Sequence, residues 1–219
     1  INSAGVLILS NNGGTTDTVT LTSGSSSPMT ATVKTTGGST TNEFTVTFTE
    51  STSGGGTATG SSAYFPATVG NSWTYETTSS DSSPFTVTYS ISQVSGSNFT
   101  LRFTHNFTDT TGSSTLNSDQ NISILNGGYY VTSANTTSNG TSSGITFTST
   151  SQTTYSAPGH MFLPPSMAVG ASGSSSTTGS GTSTTTTTGS SSGSFTTTAT
   201  TTDTFNYSIT GTESVAVPA

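Results

Sequence analysis

Charged side chains are almost absent from this sequence. They make up 5% of the 219 residues, and Lys34 and Arg102 are the two basic residues against nine acidic ones. Proteins that bind nucleic acids or anionic membrane surfaces hold phosphate groups with clustered lysine and arginine. A chain with two basic residues and a formal net charge of −7 lacks the means for either kind of binding.

Cysteine is absent altogether, and so is any long apolar run. The chain therefore has no disulfide bonds and no thiolate metal ligands. Its longest near-apolar run, residues 4–9, is far shorter than the roughly 20 residues of a spanning helix, so we predict no membrane-spanning segment. The sequence starts at Ile1 and is poor in charge. We therefore expect a processed, extracellular protein whose targeting segment has been removed.

Short segments in which apolar residues alternate with threonine or serine run through the chain. Residues 44–49 and 85–91 are examples, and no window has a helical period. Threonine is β-branched and fits a pleated, half-buried surface. The sequence therefore predicts an all-β fold of antiparallel sandwich or meander modules, with strands rich in threonine and serine and no significant helix.

Stretches rich in turn residues divide the predicted strands into two parts. An N-terminal β-module is predicted for residues 1–56, with the apolar strand at 4–9, and residues 57–62 are predicted to be a linker. The second predicted domain, residues 63–219, is β-rich and contains a Ser/Thr/Gly segment of low complexity at 171–202. That segment favours long strands that are polar on both faces and have a weakly specified register.

A motif at residues 64–75 carries a resemblance to a known group of proteins. It reads Tyr-Phe-Pro-Ala-Thr-Val-Gly-Asn-Ser-Trp-Thr-Tyr. This resembles the Tyr-x-Pro-Leu-x-Val-Gly-Asn-x-Trp-Thr-Tyr opening of bacterial secreted proteins and lipoproteins without an assigned enzymatic activity. Residues 163–170 and 211–219 resemble that group's second segment and its closing Gly-x-Glu-x-Val-x-Val-Pro-Ala. Over residues 63–219, the resemblance implies an extracytoplasmic, β-rich fold and no particular reaction.

The sequence departs from this group at two places. The group's second Val-Gly is usually followed closely by tryptophan, whereas Ala171, Ser172 and Gly173 follow it here. The sequence also stops at a point where the group usually continues with a Gly-Thr-Phe strand. The resemblance therefore implies a final sheet that is one strand short.

Three aromatic residues of the motif, Phe65, Trp73 and Tyr75, are predicted to anchor the core. A tryptophan that opens a strand after Val-Gly-Asn is more often a large buried side chain than an exposed one. The alternative is that Trp73 and Tyr75 stack on sugar rings at the surface.

Residues that could perform catalysis are scarce and scattered. His105 is predicted to face solvent on an alternating strand, and His160 to lie in a Pro-Gly turn. No Gly-x-Ser-x-Gly elbow flanked by a strand and a helix, as serine hydrolases have, is predicted, and the acidic residues are spread over turns and strand edges rather than paired as in glycosidases. We therefore predict no catalytic residue, no cofactor site, no metal site and a non-enzymatic protein.

Two less favoured alternatives concern isolated polar residues. Asp109 and Asp119 would contribute to a calcium site in a loop, although the spacing of an EF-hand is absent. Lys34 would form an isopeptide bond with an asparagine beside a buried acid. The favoured interpretation of Lys34 is an exposed lysine that protects a strand edge from aggregation.

Six Asn-x-Ser/Thr sequons are candidate glycosylation sites on an extracellular surface. A chain so rich in serine and threonine also produces several sequons by chance, so they give weak support for surface glycans. The six asparagines are Asn98, Asn106, Asn121, Asn135, Asn139 and Asn206.

One function that fits this sequence is a non-enzymatic structural protein of the cell exterior. It would be a filament or a surface-layer or matrix subunit whose partners are copies of itself, joined by β-strand donation. The acceptor strand, in the unfinished C-terminal sheet, would contain Val215 and Val217. A head-to-tail contact that does not close grows into a fibre. The donated strand would consist of Val6, Leu7, Ile8 and Leu9.

The alternative function is a monomeric cell-surface binding module of a secreted, lipoprotein-like family. Its ligand would be a carbohydrate, or ice bound through Thr-x-Thr arrays such as residues 18–20 and 45–47. A flat ice-binding solenoid requires a fixed repeat length, and none is visible in this sequence.

Overall fold

The computed structural model describes residues 16–21, 29–37, 40–49, 55–62, 65–79, 85–108, 112–189 and 192–209. These residues form twelve β-strands, and no helix occurs among them. The strands are β1 (Thr16–Leu21), β2 (Met29–Gly37), β3 (Thr40–Thr49), β4 (Ser72–Ser79), β5 (Phe85–Ser95), β6 (Asn98–Thr108), β7 (Gly112–Leu125), β8 (Gly128–Ser142), β9 (Ile145–Tyr155), β10 (His160–Leu163), β11 (Ser172–Thr188) and β12 (Gly193–Ser208).

All twelve strands belong to one sheet whose neighbours are antiparallel. Its order, β1-β2-β3-β4-β5-β6-β7-β8-β9-β11-β12, follows the chain. The short strand β10 pairs with the first residues of β8, and β9 pairs with the residues of β8 that follow. The all-β antiparallel fold predicted from the sequence is confirmed, and the described strands adopt its meander form.

The sheet is continuous across the region predicted to separate two domains. β3 pairs with β4 along eight residue pairs. Residues 55–62, predicted to include a linker, contain Ala58, which is 3% exposed. The apolar strand predicted at residues 4–9 lies outside the described residues, and the division into two domains stays a prediction.

Alternation along the strands gives the sheet two unlike faces. Trp73, Ile91, Leu101 and Ile122 are at most 3% exposed, and the register places them on one side of the sheet, which we call the core face. Successive side chains of a strand point to opposite sides. Residues such as Thr74 therefore lie on the opposite side, which we call the polar face.

A loop packs over the core face at one end of β4 to β8. This covering loop, residues 55–62 and 65–71, is held to the sheet by backbone hydrogen bonds. The Gly70 N–H donates to the carbonyl of Ile91, and the Ile91 N–H donates to the carbonyl of Asn71, both at 2.9 Å. The loop therefore continues the hydrogen bonding of β5 while it supplies a partial second layer.

The covering loop is also fixed from the far side of the core, by Tyr129 of β8. Its hydroxyl accepts a hydrogen bond from the Ser62 N–H (2.6 Å) and donates one to the Phe65 carbonyl (3.1 Å). The Phe65 ring stacks on Trp73 with centroids 4.5 Å apart and meets Phe162 edge-on at 5.4 Å. A sheet with an apolar face must bury it against a second layer, and this loop is that layer at one end.

Away from the covering loop, the core face of β7 and of the strands after it consists largely of hydroxyl side chains and glycine. Ser118 is 5% exposed and accepts a hydrogen bond of 2.9 Å from Thr136. The Phe147 ring lies over its cross-strand partner Gly140, where a Cβ atom would come within 2.6 Å of the ring. An aromatic ring that covers a strand glycine restores packing that the glycine cannot supply.

Replacement of Leu101, which is 0% exposed, tests this description of the core. We expect Leu101→Ala to lower the free energy of unfolding by about 2–5 kcal/mol, because it removes buried methyl groups and leaves a cavity. Thr150→Ala on the exposed polar face is the matched control and should change it by less than about 1 kcal/mol. Urea unfolding followed by circular dichroism measures both, and equal effects would contradict the assignment of the two faces.

Candidate functional site at the sheet edge and faces

The three predicted anchors lie on the core face or over it. The Phe65 ring, part of the covering loop, stacks on one face of Trp73, which is 3% exposed, so that face of the indole is not open to a sugar ring. Tyr75 is partly buried and meets Tyr89 edge-on with centroids 5.6 Å apart. Burial, with a contribution from the charge of Tyr89, raises the pKa of Tyr75 above its usual value.

The prediction that His105 faces solvent is wrong. Because residues two apart in a strand share a face, His105 lies on the core face together with Phe103, and its ring meets Phe85 at 5.1 Å. Its Nε2 atom is shielded from solvent and has no hydrogen-bond partner. The alternation Phe85-Val87-Tyr89 and Phe103-His105-Phe107 in the sequence already contained this signal.

The other histidine lies near a carboxylate. His160 begins β10, and its Nδ1 atom is 4.0 Å from Oδ2 of Asp203 on β12. This distance is too long for a hydrogen bond. Its ring also lies 5.6 Å from that of Tyr155. The arrangement is an electrostatic contact between two partly exposed groups and does not position an imidazole for proton transfer.

Asp119, one of the two residues weighed for a calcium site, is bound by arginine. Arg102 donates two hydrogen bonds of 2.8 Å to its carboxylate oxygens. These bonds hold the pKa of Asp119 below its usual value. Asp109 lies outside the described residues. Among the residues that are described, no group of three or more histidines and acids is placed to hold a metal ion.

The asparagines of all six sequons are exposed and lie on the polar face. The amide of Asn106 accepts a hydrogen bond of 2.9 Å from Thr115. The amide of Asn121 accepts one from Thr100 (3.1 Å) and donates one to Ser133 (2.9 Å). The sequons therefore present their side chains to one side of the sheet only.

Threonines form rows across the polar face. One row crosses nine strands from β3 to β12 and contains eight threonines and one asparagine. Cross-strand hydrogen bonds join several neighbours in it, including Thr74 with Thr88 (3.3 Å) and Thr184 with Thr196 (2.9 Å). Antiparallel pairing spaces such side chains by about 4.8 Å. The row consists of Thr47, Thr74, Thr88, Thr104, Asn117, Thr137, Thr150, Thr184 and Thr196.

Strand β12 forms one edge of the described sheet. It pairs with β11 along 16 residue pairs without a bulge, and no other described strand pairs with it. Natural edges are usually protected by proline, by charge or by a bulge. The sequence of β12 has no proline, and Asp203 is its one charged residue. Its residues 193–202 are all exposed, including Phe195 at 59%.

An apolar region that the sequence analysis missed lies on the core face beyond the covering loop. We call it the outer patch and define it by Phe85, Val87, Phe103, His105 and Leu116. The register aligns Val87, His105 and Leu116 across three strands. All five side chains are partly exposed, and none belongs to the buried cluster beneath the covering loop.

The predicted donor residues, 6–9, and the predicted acceptor residues, Val215 and Val217, lie outside the described residues. Among the residues that are described, no helix is long and apolar enough to cross a membrane. Comparison with protein-family models, with curated proteins and with solved structures finds no match to this chain.

The raised pKa of Tyr75 predicts a loss of stability at alkaline pH. The folded state keeps the phenol protonated at a pH where the unfolded chain, with a pKa near 10, releases the proton. This contribution to the unfolding free energy is therefore complete below pH 10 and is lost as the pH rises through the folded-state pKa. Tyr75→Phe should show a smaller fall in unfolding free energy above pH 10, whereas parallel curves for the two proteins would contradict the assignment.

Proposed function

We propose that this chain is a non-enzymatic structural protein of the cell exterior that assembles with copies of itself by strand addition. The observation that carries the proposal is the edge of the sheet at β12. There, 16 residues present one side of their backbone without a partner among the described strands. Unpaired N–H and C=O groups along a strand are a template for a strand of another chain.

The order of the strands favours an open polymer over a closed pair. The first and last described strands, β1 and β12, form opposite edges of the sheet. Contact between the β12 edge of one copy and the β1 edge of the next uses two different surfaces. Such a head-to-tail contact continues without limit unless a rotation closes it. The eleven strands along the sheet then repeat every roughly 50 Å, at about 4.8 Å per strand.

The sparse charge of the polar face supports the same proposal. Arg102 and Asp119 neutralise each other there as an ion pair, and the neighbouring row of threonines carries no charge. Copies therefore meet little local repulsion between stacked polar faces. The net charge of −7 acts over longer distances, where salt screens it.

Charge placed on the edge tests the proposal. We expect the native chain to form fibres with a reflection near 4.7–4.8 Å along the fibre axis, seen by electron microscopy and fibre diffraction. The double variant Thr198→Lys/Thr200→Lys on β12 should sediment as a monomer, because lysines on an edge strand oppose pairing.

The matched control puts the same two lysines on the central strand β9, as Thr148→Lys/Thr150→Lys. These positions lie on the same face as the first pair but away from the edge, so fibres should persist. Native protein that stays monomeric at high concentration, or equal loss of fibres in both variants, would overturn assembly through β12.

A second candidate function, binding to ice, is favoured by one observation, the row of hydroxyls on the polar face. Ice presents water oxygens at regular intervals, and the strands space threonines regularly without any sequence repeat. Among the described side chains, the polar face also has few aromatic rings, which a sugar-binding surface would use for stacking. Under this alternative the chain acts as a monomer.

Growth of ice crystals tests this second candidate. If the polar face binds ice, the native chain should inhibit recrystallisation, and Thr137→Lys/Thr150→Lys should abolish inhibition because bulky charges break the row in its middle. The control Thr187→Lys lies on the core face and should keep the inhibition. Native protein without any inhibition rules out this candidate.

A further inference from the structure

Two β-bulges interrupt the strands at the same level of the sheet. Ser92 of β5 is the extra residue of the first bulge, opposite β6, and Thr132 of β8 is the extra residue of the second, opposite β7. Each hydroxyl donates to a backbone carbonyl of the facing strand, Ser92 to Thr100 (3.4 Å) and Thr132 to Asn121 (3.1 Å). Because Thr100 and Asn121 are cross-strand partners, the two bulges flank a single residue pair.

A groove on the polar face lies between these bulges. We call it the bulge groove, and its volume of about 590 Å³ is within the roughly 300–1,000 Å³ of small-molecule sites. Bulges bend strands, increase the local twist and are over-represented beside functional sites. The register places most of the polar lining in two adjacent rows of the polar face. The polar residues of the lining are Gln93, Ser95, Asn98, Thr100, Asn121 and Thr132.

The side chain of Asn121 is held in one orientation by its neighbours. Its Oδ1 atom accepts a hydrogen bond from the Thr100 hydroxyl (3.1 Å), and its Nδ2 atom donates one to the Ser133 hydroxyl (2.9 Å). A primary amide has two N–H donors and two acceptor lone pairs. One N–H and one lone pair of the exposed Asn121 amide therefore stay available to a ligand. A group that is already oriented loses little conformational freedom on binding.

The groove carries no charge, which limits the chemical class of its ligand. The charged residues of the next row, Arg102 and Asp119, bind each other through two hydrogen bonds of 2.8 Å. Phe99 also lines the groove, but its ring belongs to the core and is 3% exposed, so it is not open to stacking. A ligand that fits this groove is neutral and bound by hydrogen bonds.

We propose that the bulge groove binds a neutral saccharide. Two neighbouring hydroxyls of a sugar ring match the Asn121 amide, because one accepts from the available N–H and the other donates to the available lone pair. The exposed amides of Gln93 and Asn98 bring further donors and acceptors. The sugar is bound through its hydroxyl groups, unlike at the stacking site considered at Trp73 and Tyr75. The groove lies on β5 to β8, so binding is independent of strand addition at β12.

A glycan array tests the proposal. The full-length chain is produced in a bacterial host without N-glycosylation, so that the sequon residues Asn98 and Asn121 keep free amides, and is applied to immobilised neutral and acidic oligosaccharides. We expect binding to at least one neutral saccharide. With the tightest-binding one, calorimetry should show that Asn121→Ala weakens binding about tenfold or more, because the variant loses both hydrogen bonds from the amide to the sugar.

The matched control is Asn106→Ala. Asn106 is exposed on the same face and also accepts a hydrogen bond from a threonine, Thr115, but it lies outside the groove, so its replacement should leave the affinity unchanged. Thr100→Val should weaken binding about threefold or more, because it releases the Asn121 amide. Thr100→Ser keeps the hydroxyl and should bind like the native chain. Circular dichroism checks that each variant is folded.

Three results would overturn the proposal. The first is an array on which no neutral saccharide binds, and the second is binding restricted to acidic saccharides. The third is an affinity that Asn121→Ala lowers no more than Asn106→Ala does, which would place the sugar outside the groove. The edge variant Thr198→Lys/Thr200→Lys should bind the saccharide like the native chain, so that a failure of assembly and a failure of sugar binding are distinguished.

Discussion

The register between strands is the constraint on which the rest of this structure depends. A slip of one residue would move every side chain of a strand to the other face. Only the apolar part of the sheet resists such a slip strongly, because Trp73, Leu101 and Ile122 must stay beneath the covering loop. The hydroxyl of Tyr129, which bonds to both arms of that loop, fixes the loop to the same strands. Because each strand pairs with the next one along the sheet, the register of the apolar strands also fixes the position of the polar strands.

The polar strands β9, β11 and β12 keep that register without an apolar core of their own. Hydroxyl pairs such as Thr185 with Ser149, 2.9 Å apart, cross the strands. Aromatic rings lie over glycines, as Tyr155 does over Gly179. The outcome is a long, nearly uncharged sheet that ends at β12, whose outer edge has no partner among the described strands. An edge of this kind is hazardous for a monomer and useful for a chain that assembles, which connects the proposed function to the composition.

Much of the fold could be predicted from the sequence, and less of the candidate site. Alternation in residues 85–91 predicted strand β5, and the low-complexity segment at 171–202 predicted long strands with polar faces. His105 was mispredicted although the alternation along its own strand places it on the same face as Phe103. The outer patch could not be predicted in this way, since it exists only where Val87, His105 and Leu116 align across three strands.

The sequence alone determined the chemistry available to this protein: strands of threonine and serine, almost no charge, no cysteine and few groups suited to catalysis. Those properties depend on composition and on the alternation of side chains between the two faces of a strand. Both can be read from short stretches of sequence. Only the tertiary structure decided which strands are neighbours, where the covering loop ends and which edge lacks a partner among the described strands. These depend on pairings between distant residues, such as Tyr129 with Ser62 and Phe65, and no local pattern contains them.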